Sequence, residues 1–328
     1  GRLRGAAPAG GGGGLMAELA YLQVARVCNQ KCLFCSNPEN GRIISWSEAA
    51  ALVDSFADGG AAGVILTGGE PTLFDRLPEL VAYARRRGLA PRLITNGQRT
   101  SDPGYLRQLA SAGLEHLHAS IHSVKPEVQG ELTGNPRSLP RLLRTLENAE
   151  REGLRVDVNT VINSRNADHL GLNVRFLAER FPFLGHFVWN CLDPLLNRAS
   201  LNPGLVPRLR AFETELHDAM TWLDRSGRTF RVERVPLCYM SDFAHRSTET
   251  RKIVKEEGRE IYFLDEKGRR RQDRAAWSYG KSARCRDCSL DGLCAGLYQM
   301  GTYYSEDELC PVFASPEDVA ARVREDEE

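Results

Sequence analysis

No stretch of this 328-residue sequence holds the roughly 18 consecutive apolar residues that a membrane span needs. The opening GRLRGAAPAGGGGG lacks the apolar centre of a secretory signal, and its Gly, Ala and Arg cannot bury enough surface to offset ordering entropy. Residues 1–17 are therefore expected to be disordered, with Met16 as the natural start and residues 1–15 upstream of it. Net charge is also missing. The 43 Lys and Arg balance 43 Asp and Glu, which argues against a chain-wide nucleic-acid or membrane surface. The basic runs at residues 85–87 and 269–271 read as solvated helix ends and turns. An even set of cysteines is absent as well. The nine cysteines cluster at the two ends of the chain behind no export signal, so metal ligation in a reducing cytoplasm is favoured over a disulfide framework.

What the sequence has is alternation. Apolar, β-rich stretches at residues 22–27, 64–67, 92–95, 117–121, 156–162 and 186–189 are separated by amphipathic segments at helical spacing. Ser45 with Glu48 reads as a capping box opening the first helix, and Gly59–Gly60 stops it. Asp75 opens the second and Gly88 ends it; later helices are expected at residues 105–112, 140–152, 168–180 and 206–225. Strands alternating with helices of this length mean parallel βαβ units. A partial barrel and a doubly wound sheet both fit, and both collect ligands at the C-terminal ends of their strands. Cys28, Gly68–Gly69–Glu70, Asn96, His122 and Cys191 all fall there. Beyond residue 225 a strand-like segment, 229–235, leads to Cys238, then to a charged stretch and a hairpin around residues 265–268. This part reads as a small domain organised by metal.

Cys28, Cys32 and Cys35 stand in Cys-Asn-Gln-Lys-Cys-Leu-Phe-Cys, a C-x3-C-x2-C spacing directly after a strand. Three thiolates on one tight loop hold three irons of a 4Fe–4S cluster and leave the fourth open. An electron carrier would use four cysteines, and a structural zinc site would want a fourth Cys or His. No Cys or His lies between Cys35 and His116.

With Phe34 before its third cysteine, this motif resembles the signature of the radical S-adenosylmethionine (radical SAM) superfamily. The resemblance implies a partial (β/α)6 barrel over residues 18–228 and a C-terminal extension over 229–328. It also implies that the amino and carboxylate groups of S-adenosylmethionine complete the open iron, with Phe34 near the adenine. Gly68-Gly69-Glu70-Pro71 resembles the family motif that contacts the methionine amino group. By the same similarity Ser120 and Asn159 would bind its carboxylate or ribose, Val161 would pack on adenine, and Thr95 and Asn96 would face cofactor or substrate. Many relatives carry an acidic residue where this chain has His122, which leaves substrate contact, proton transfer and plain hydrogen bonding open for that side chain. Cys191, expected to face the cavity, is the other catalytic candidate.

Cys285, Cys288 and Cys294 form a second dense group resembling the SPASM and twitch extensions, with Tyr298 where the full SPASM pattern has a further cysteine. Cys238 is the expected fourth ligand of one auxiliary 4Fe–4S cluster. Cys310, in an acidic stretch (residues 305–309) expected to be mobile, is the alternative. The same thiolates would also suit zinc. The implied activity is reductive cleavage of S-adenosylmethionine, with an electron from flavodoxin or ferredoxin, and abstraction of a substrate hydrogen. Relatives with such extensions often modify peptides or proteins, as in maturation of ribosomal natural products. The short stretch before residue 22 leaves no room for an N-terminal leader-peptide recognition domain, so a separate partner or direct recognition is expected. A small molecule such as a carbohydrate, nucleotide or cofactor precursor is the alternative substrate. A non-catalytic electron carrier fits less well, given the open iron and Gly-Gly-Glu-Pro.

Overall fold

The computed structural model describes residues 19–37, 39–257, 259–265, 268–272 and 278–326. The N-terminal segment expected to be disordered, including Met16, lies outside them. Strands β1 (Leu19–Ala25), β2 (Gly63–Gly68), β3 (Ala90–Thr95), β4 (His116–Ser120), β5 (Arg155–Ile162) and β6 (His186–Cys191) are the six expected ones. The helices are α1 (Trp46–Asp58), α2 (Leu77–Arg86), α3 (Pro103–Ser111), α4 (Pro126–Thr133), α5 (Ser138–Arg151), α6 (Leu170–Arg180), α7 (Asn197–Leu201) and α8 (Leu209–Arg225). Ser45 caps α1 as expected, accepting from the Glu48 amide at 3.2 Å. The reciprocal half of the capping box is not made, because the Glu48 carboxylate accepts from Tyr262 instead. Asp75 does not open α2, whose N-cap is Arg76. Helix α4, eight residues between β4 and α5, was not foreseen.

The six strands are the middle of a larger sheet. Strand β7 (Thr229–Glu233) adds beside β6, and β8 (Arg259–Tyr262) adds beside β1, giving the order β7-β6-β5-β4-β3-β2-β1-β8-β9. Every pairing from β7 to β8 is parallel; β9 (Arg269–Gln272) closes a hairpin on β8. The expected six-stranded barrel is thus widened by three strands from the C-terminal part, and no closed barrel forms among the described residues. The expected hairpin is β8–β9, which places residues 269–271 in a strand rather than a turn. Helix α9 (Thr248–Lys255) lies at the free edge of β7, where Val232 bridges Ser247, and α10 (Pro316–Glu325) packs on α9. Just past α10, Asp326 accepts from Arg231 of β7 at 2.8 Å and from Arg246 at 3.0 Å. No helix among the described residues is long and apolar enough to cross a membrane.

Alternation along each strand divides the side chains. On β4, Leu117 and Ala119 join the core under the helices, while His116, His118 and Ser120 face the barrel interior. The core is completed by Val53 and Phe56 of α1, Leu142 and Leu146 of α5, and Phe212 and Leu216 of α8. Full burial of each such side chain contributes about 1.5–3 kcal/mol.

The closest backbone approach lies where β2 runs out. The Gly69 amide donates to the Ala25 carbonyl at 2.6 Å and that of Glu70 to Val27 at 2.9 Å. A Cβ on Gly68 would sit 2.1 Å from the Ala25 oxygen, and one on Gly69 would sit 2.3 Å from that of Val27. These glycines are small because another backbone occupies the space. Gly69→Ala should therefore lower stability by about 1–3 kcal/mol in urea unfolding. Gly185→Ala, whose added carbon meets nothing within 4 Å, should change it by less than about 1 kcal/mol in either direction.

Candidate active site

The chain leaves β1 into the triad loop, which α4 and α7 grip from two sides. The amides of Lys31 and Leu33 donate to the carbonyls of Thr133 and Leu132 at the end of α4, at 3.0 and 2.9 Å. On the other side Arg198 Nε donates to the Cys32 carbonyl at 2.9 Å, and the Ala199 amide to that of Cys35 at 3.1 Å. Leu196 and Asn197 have φ of 62° and 43°. Non-glycine residues hold such angles only under local constraint, here the turn that lays α7 over the loop.

Each thiol of the triad has nearby polar groups. The Gln30 amide donates to Cys28 Sγ at 3.4 Å, joined by Asn96 Nδ2 at 3.7 Å, and Asn197 Nδ2 reaches Cys35 Sγ at 3.7 Å. Burial pushes the Cys28 and Cys32 thiols above their ordinary range. Thiolates so placed need the compensation that a bound metal supplies. Three thiols on one clamped loop, those of Cys28 and Cys35 met by amide donors, fit a three-cysteine 4Fe–4S site.

Glu70 is fully buried, and four donors converge on it. Oε1 accepts from the Thr72 amide (3.2 Å), the Thr72 hydroxyl (2.6 Å) and the Thr95 hydroxyl (2.7 Å), and Oε2 accepts from the Asn96 amide at 2.8 Å. The carboxylate thus ties the end of β2 to the end of β3. Pro71 opens the short turn that follows. Asn96 passes the tie on, donating to Asn29 Oδ1 at 2.7 Å within the triad loop. Asn37 closes the same loop from the other side, donating to the Gly68 carbonyl at 2.8 Å.

Phe34 is buried among Leu132, Leu192 and Leu205, with Val161 packed against them, and its ring meets His122 edge-on at 4.5 Å. His122 Nδ1 accepts from the Val161 amide at 3.2 Å, so the ring proton is assigned to Nε2. Burial lowers its pKa to about 3, so the imidazole is neutral at physiological pH. It offers one N–H donor and a ring face rather than a charge. Ser120 and Asn159 stand side by side on β4 and β5, and Asn159 Oδ1 accepts from Asn190 at 2.6 Å. The residues expected around the cofactor therefore collect at one end of the barrel. Cys191 does not. Alternation on β6 turns it with Phe187 and Trp189 into the core, away from the interior-facing Asn190; its Sγ lies 3.3 Å from the Tyr304 hydroxyl, and burial raises it to about 11.

At the other cysteine group, both the amide and the thiol of Cys310 lie within hydrogen-bonding reach of the Cys238 thiol, which burial pushes up to about 12. Cys294 feels the charges of Cys238 and Cys285, while the Val312 amide donates to Cys288 Sγ at 3.3 Å. The stretch expected to be mobile is anchored: residues 306–308 form a turn, Tyr239 Oη donates to the Glu308 carbonyl at 2.6 Å, and Leu309 is buried. Cys238 and Cys310 therefore stand together.

Residues 22–177 match the radical SAM superfamily. The match takes in the triad loop and the Gly-Gly-Glu-Pro turn and covers 156 of the 328 residues. That family implies a 4Fe–4S cluster and S-adenosylmethionine. The PqqA peptide cyclase of Xanthomonas oryzae pv. oryzae (strain MAFF 311018) is 32% identical over 218 residues, 61% of this chain and 56% of the relative. An Fe-coproporphyrin III synthase of Methanosarcina barkeri (strain Fusaro / DSM 804) is 33% identical over 147 residues, 44% of this chain and 36% of the relative. The chain thus spans about half the length of the curated relatives it matches. Among solved structures, anSMEcpe with bound AdoMet and Kp18Cys peptide has a TM-score of 0.61 at 16% identity, covering 94% of this chain and 96% of that one. Streptococcus suis SuiB bound to S-adenosylmethionine has a TM-score of 0.60 at 16% identity, covering 86% and 72%. At these identities the likeness is one of fold.

Two features were not legible in the sequence. Arg198 and Asn197 follow no motif and reach the triad only because α7 folds back. The cluster of Asp193, Arg234, Glu249, Tyr279 and Tyr298 joins strand ends to the extension across distances that no local pattern signals; within it Tyr279 Oη donates to Glu249 Oε1 at 2.8 Å and Tyr298 Oη to Asp193 Oδ1 at 3.1 Å.

Burial raises the pKa of Glu70 above its ordinary value, against the pull of its four donors. The folded state then holds a proton that the unfolded state releases, so this group's contribution to stability is present at low pH and is lost as pH rises through the folded pKa. Unfolding of wild type and Glu70→Gln across pH 4–8 should show the wild-type advantage largest at the acid end and shrinking as pH rises.

Proposed function

We propose that this chain is a radical SAM enzyme that modifies a peptide or protein. The observation that carries the reading is the three-thiol loop with its donors and clamp, in a domain whose relative named a peptide cyclase is 32% identical over 218 residues. Cys28, Cys32 and Cys35 would hold a 4Fe–4S cluster, which would supply the electron for reductive cleavage of S-adenosylmethionine and so for abstraction of a substrate hydrogen. The protein's own residues hold and enclose. Phe34 and Val161, with the neutral ring of His122, give adenine an apolar seat beside the triad. Ser120 and Asn159 offer hydrogen bonds to the ribose or carboxylate, and the backbone around Gly68–Gly69 holds the methionine end. Glu70 keeps this frame rigid rather than reaching the ligand, since its two oxygens are already engaged. Exposed Leu196 and Leu201, on the turn covering the triad, offer an apolar contact to a flavodoxin or ferredoxin. Nine free thiols suit a reducing cytoplasm.

Cys28, Cys32 and Cys35 replaced together by Ala should abolish 5′-deoxyadenosine formation in anaerobic, reconstituted protein, while wild type forms it on reduction. Activity surviving in the triple variant would sink the reading. For the substrate, a peptide encoded beside the gene should raise 5′-deoxyadenosine formation and leave with a changed mass. Stimulation only by a tetrapyrrole or other small molecule would favour the second reading, which the similarity to the Fe-coproporphyrin III synthase motivates.

The C-terminal thiols are read as an auxiliary 4Fe–4S cluster held by Cys285, Cys288, Cys294 and Cys238. Wild type should then carry about eight irons per chain, whereas about four irons with one zinc would make the extension a zinc site. With the triad deleted, Cys238→Ala should remove the remaining iron and Cys310→Ala should leave it, because Cys238 is the more enclosed of the pair. The reverse pattern would assign the ligand to Cys310.

A further inference from the structure

The end of the barrel opposite the triad holds a second group of ligand-type side chains. His116 and His118, two residues apart on β4, both face the interior, and Asp157 of β5 pairs in register with His118. His116 Nε2 lies 2.8 Å and His118 Nδ1 3.2 Å from the same oxygen, Asp157 Oδ2, and the two rings stack at 4.4 Å. All three donors fall within 4.8 Å of one another, the only such trio among the described residues. Their burial is high: His116 and Asp157 are each 5% exposed.

Ion pairing with Asp157 Oδ2 accounts for only part of this convergence. His116 Nε2, His118 Nε2 and Asp157 Oδ1 are buried with no aligned hydrogen-bond partner. Leaving a buried polar atom unsatisfied costs about 1–3 kcal/mol; of these three atoms His116 Nε2 also belongs to the converging trio, so an ion held there would satisfy it. Ligands bound at about 2.1 Å in a tetrahedral or octahedral shell stand about 3.0–3.4 Å apart, which brackets or adjoins the separations seen here. His118 and Asp157 also line a cavity of about 560 Å³, with Tyr21, Arg92, Val188 and Arg231 on its walls. A fourth coordination position would open into it.

We propose that His116, His118 and Asp157 form a site for a divalent transition metal of the zinc type at the N-terminal end of the barrel. Period-two alternation places both imidazoles on one face, and the neighbouring parallel strand brings the carboxylate opposite them. Burial lowers the pKa of His116, which keeps that imidazole neutral with a lone pair to offer. Arg155, whose Nε lies 3.7 Å from Asp157 Oδ1, is the competitor, since it partly neutralises the carboxylate without a metal. Two histidines, one carboxylate and an open fourth position make the ligand set of a reactive rather than a closed structural zinc site. The site is independent of the cysteines: Ser120, at the cofactor end of β4, is two residues beyond His118, about 7 Å along the strand.

The test uses the full chain with its iron–sulfur clusters reconstituted, dialysed against micromolar zinc and desalted. Wild type should retain about one zinc per chain at unchanged iron content, with X-ray absorption giving nitrogen and oxygen neighbours at about 2.0–2.1 Å. His118→Gln and the isosteric Asp157→Asn should each weaken zinc retention at least about tenfold while iron content and 5′-deoxyadenosine formation stay as in wild type. A wild-type protein that holds its iron but retains no zinc overturns the proposal. So does zinc that enters only as iron leaves, or a sulfur shell near about 2.3 Å, because either means binding at cysteine. Variants that fold and keep the zinc overturn it as well.

Discussion

Four donors meet on the buried carboxylate of Glu70, and through them the ends of two strands and the triad loop share one anchor. The arrangement is costly in isolation, since a carboxyl with no exposed surface has lost its water. It persists because β1 and β2 approach so closely at Gly68 and Gly69 that Glu70 has one place to go. From there Asn96 extends the tie to Asn29 and Cys28. Catalytic geometry in a site of this kind depends on the loop holding its thiols at fixed separations. Here that rigidity is built by backbone contact and a hidden acid rather than by the exposed residues of the loop.

The C-terminal part is not an appendage in the sense of a separately packed unit. It contributes β7 to one side of the sheet and β8 to the other, and α9 lies along the free edge of β7. The cysteines of the extension therefore hang from a segment continuous with the barrel, with Tyr304 and Tyr298 tying it back to the end of β6. The acid- and tyrosine-lined junction around Arg234 and Glu249 follows from this: it is where polar strand ends meet a polar extension, and each group is satisfied by another.

The six barrel strands were legible because each is an apolar run followed by a turn and a helix of ordinary length. The triad and Gly-Gly-Glu-Pro were legible because their spacing is local. What escaped was long-range. Strand β8, Arg-Glu-Ile-Tyr, has the charge of a loop and becomes a strand only through the waiting edge of β1. Glu48 looked like a capping-box partner until Tyr262, more than two hundred residues on, claimed it. The side of β6 on which Cys191 falls was decided by register, and a shift of one residue exchanges core for cavity. That Gly68 and Gly69 pack against the backbone of Ala25 and Val27 was not legible either.

The position of β8 has a consequence for synthesis. Strand β1 leaves the ribosome before the other strands of this sheet, yet the partner for residues 20–22 is residues 260–262, near the other end of the described chain. Until those residues are made, one edge of the strand that carries the cysteine loop is open to any other extended chain. Pairings of such long sequence separation form late and slowly. The nascent protein thus passes through a stage in which the barrel's strands can assemble while its first strand is still uncovered, the stage at which a chaperone, or early loading of metal onto the loop, would do the most to keep it from aggregating.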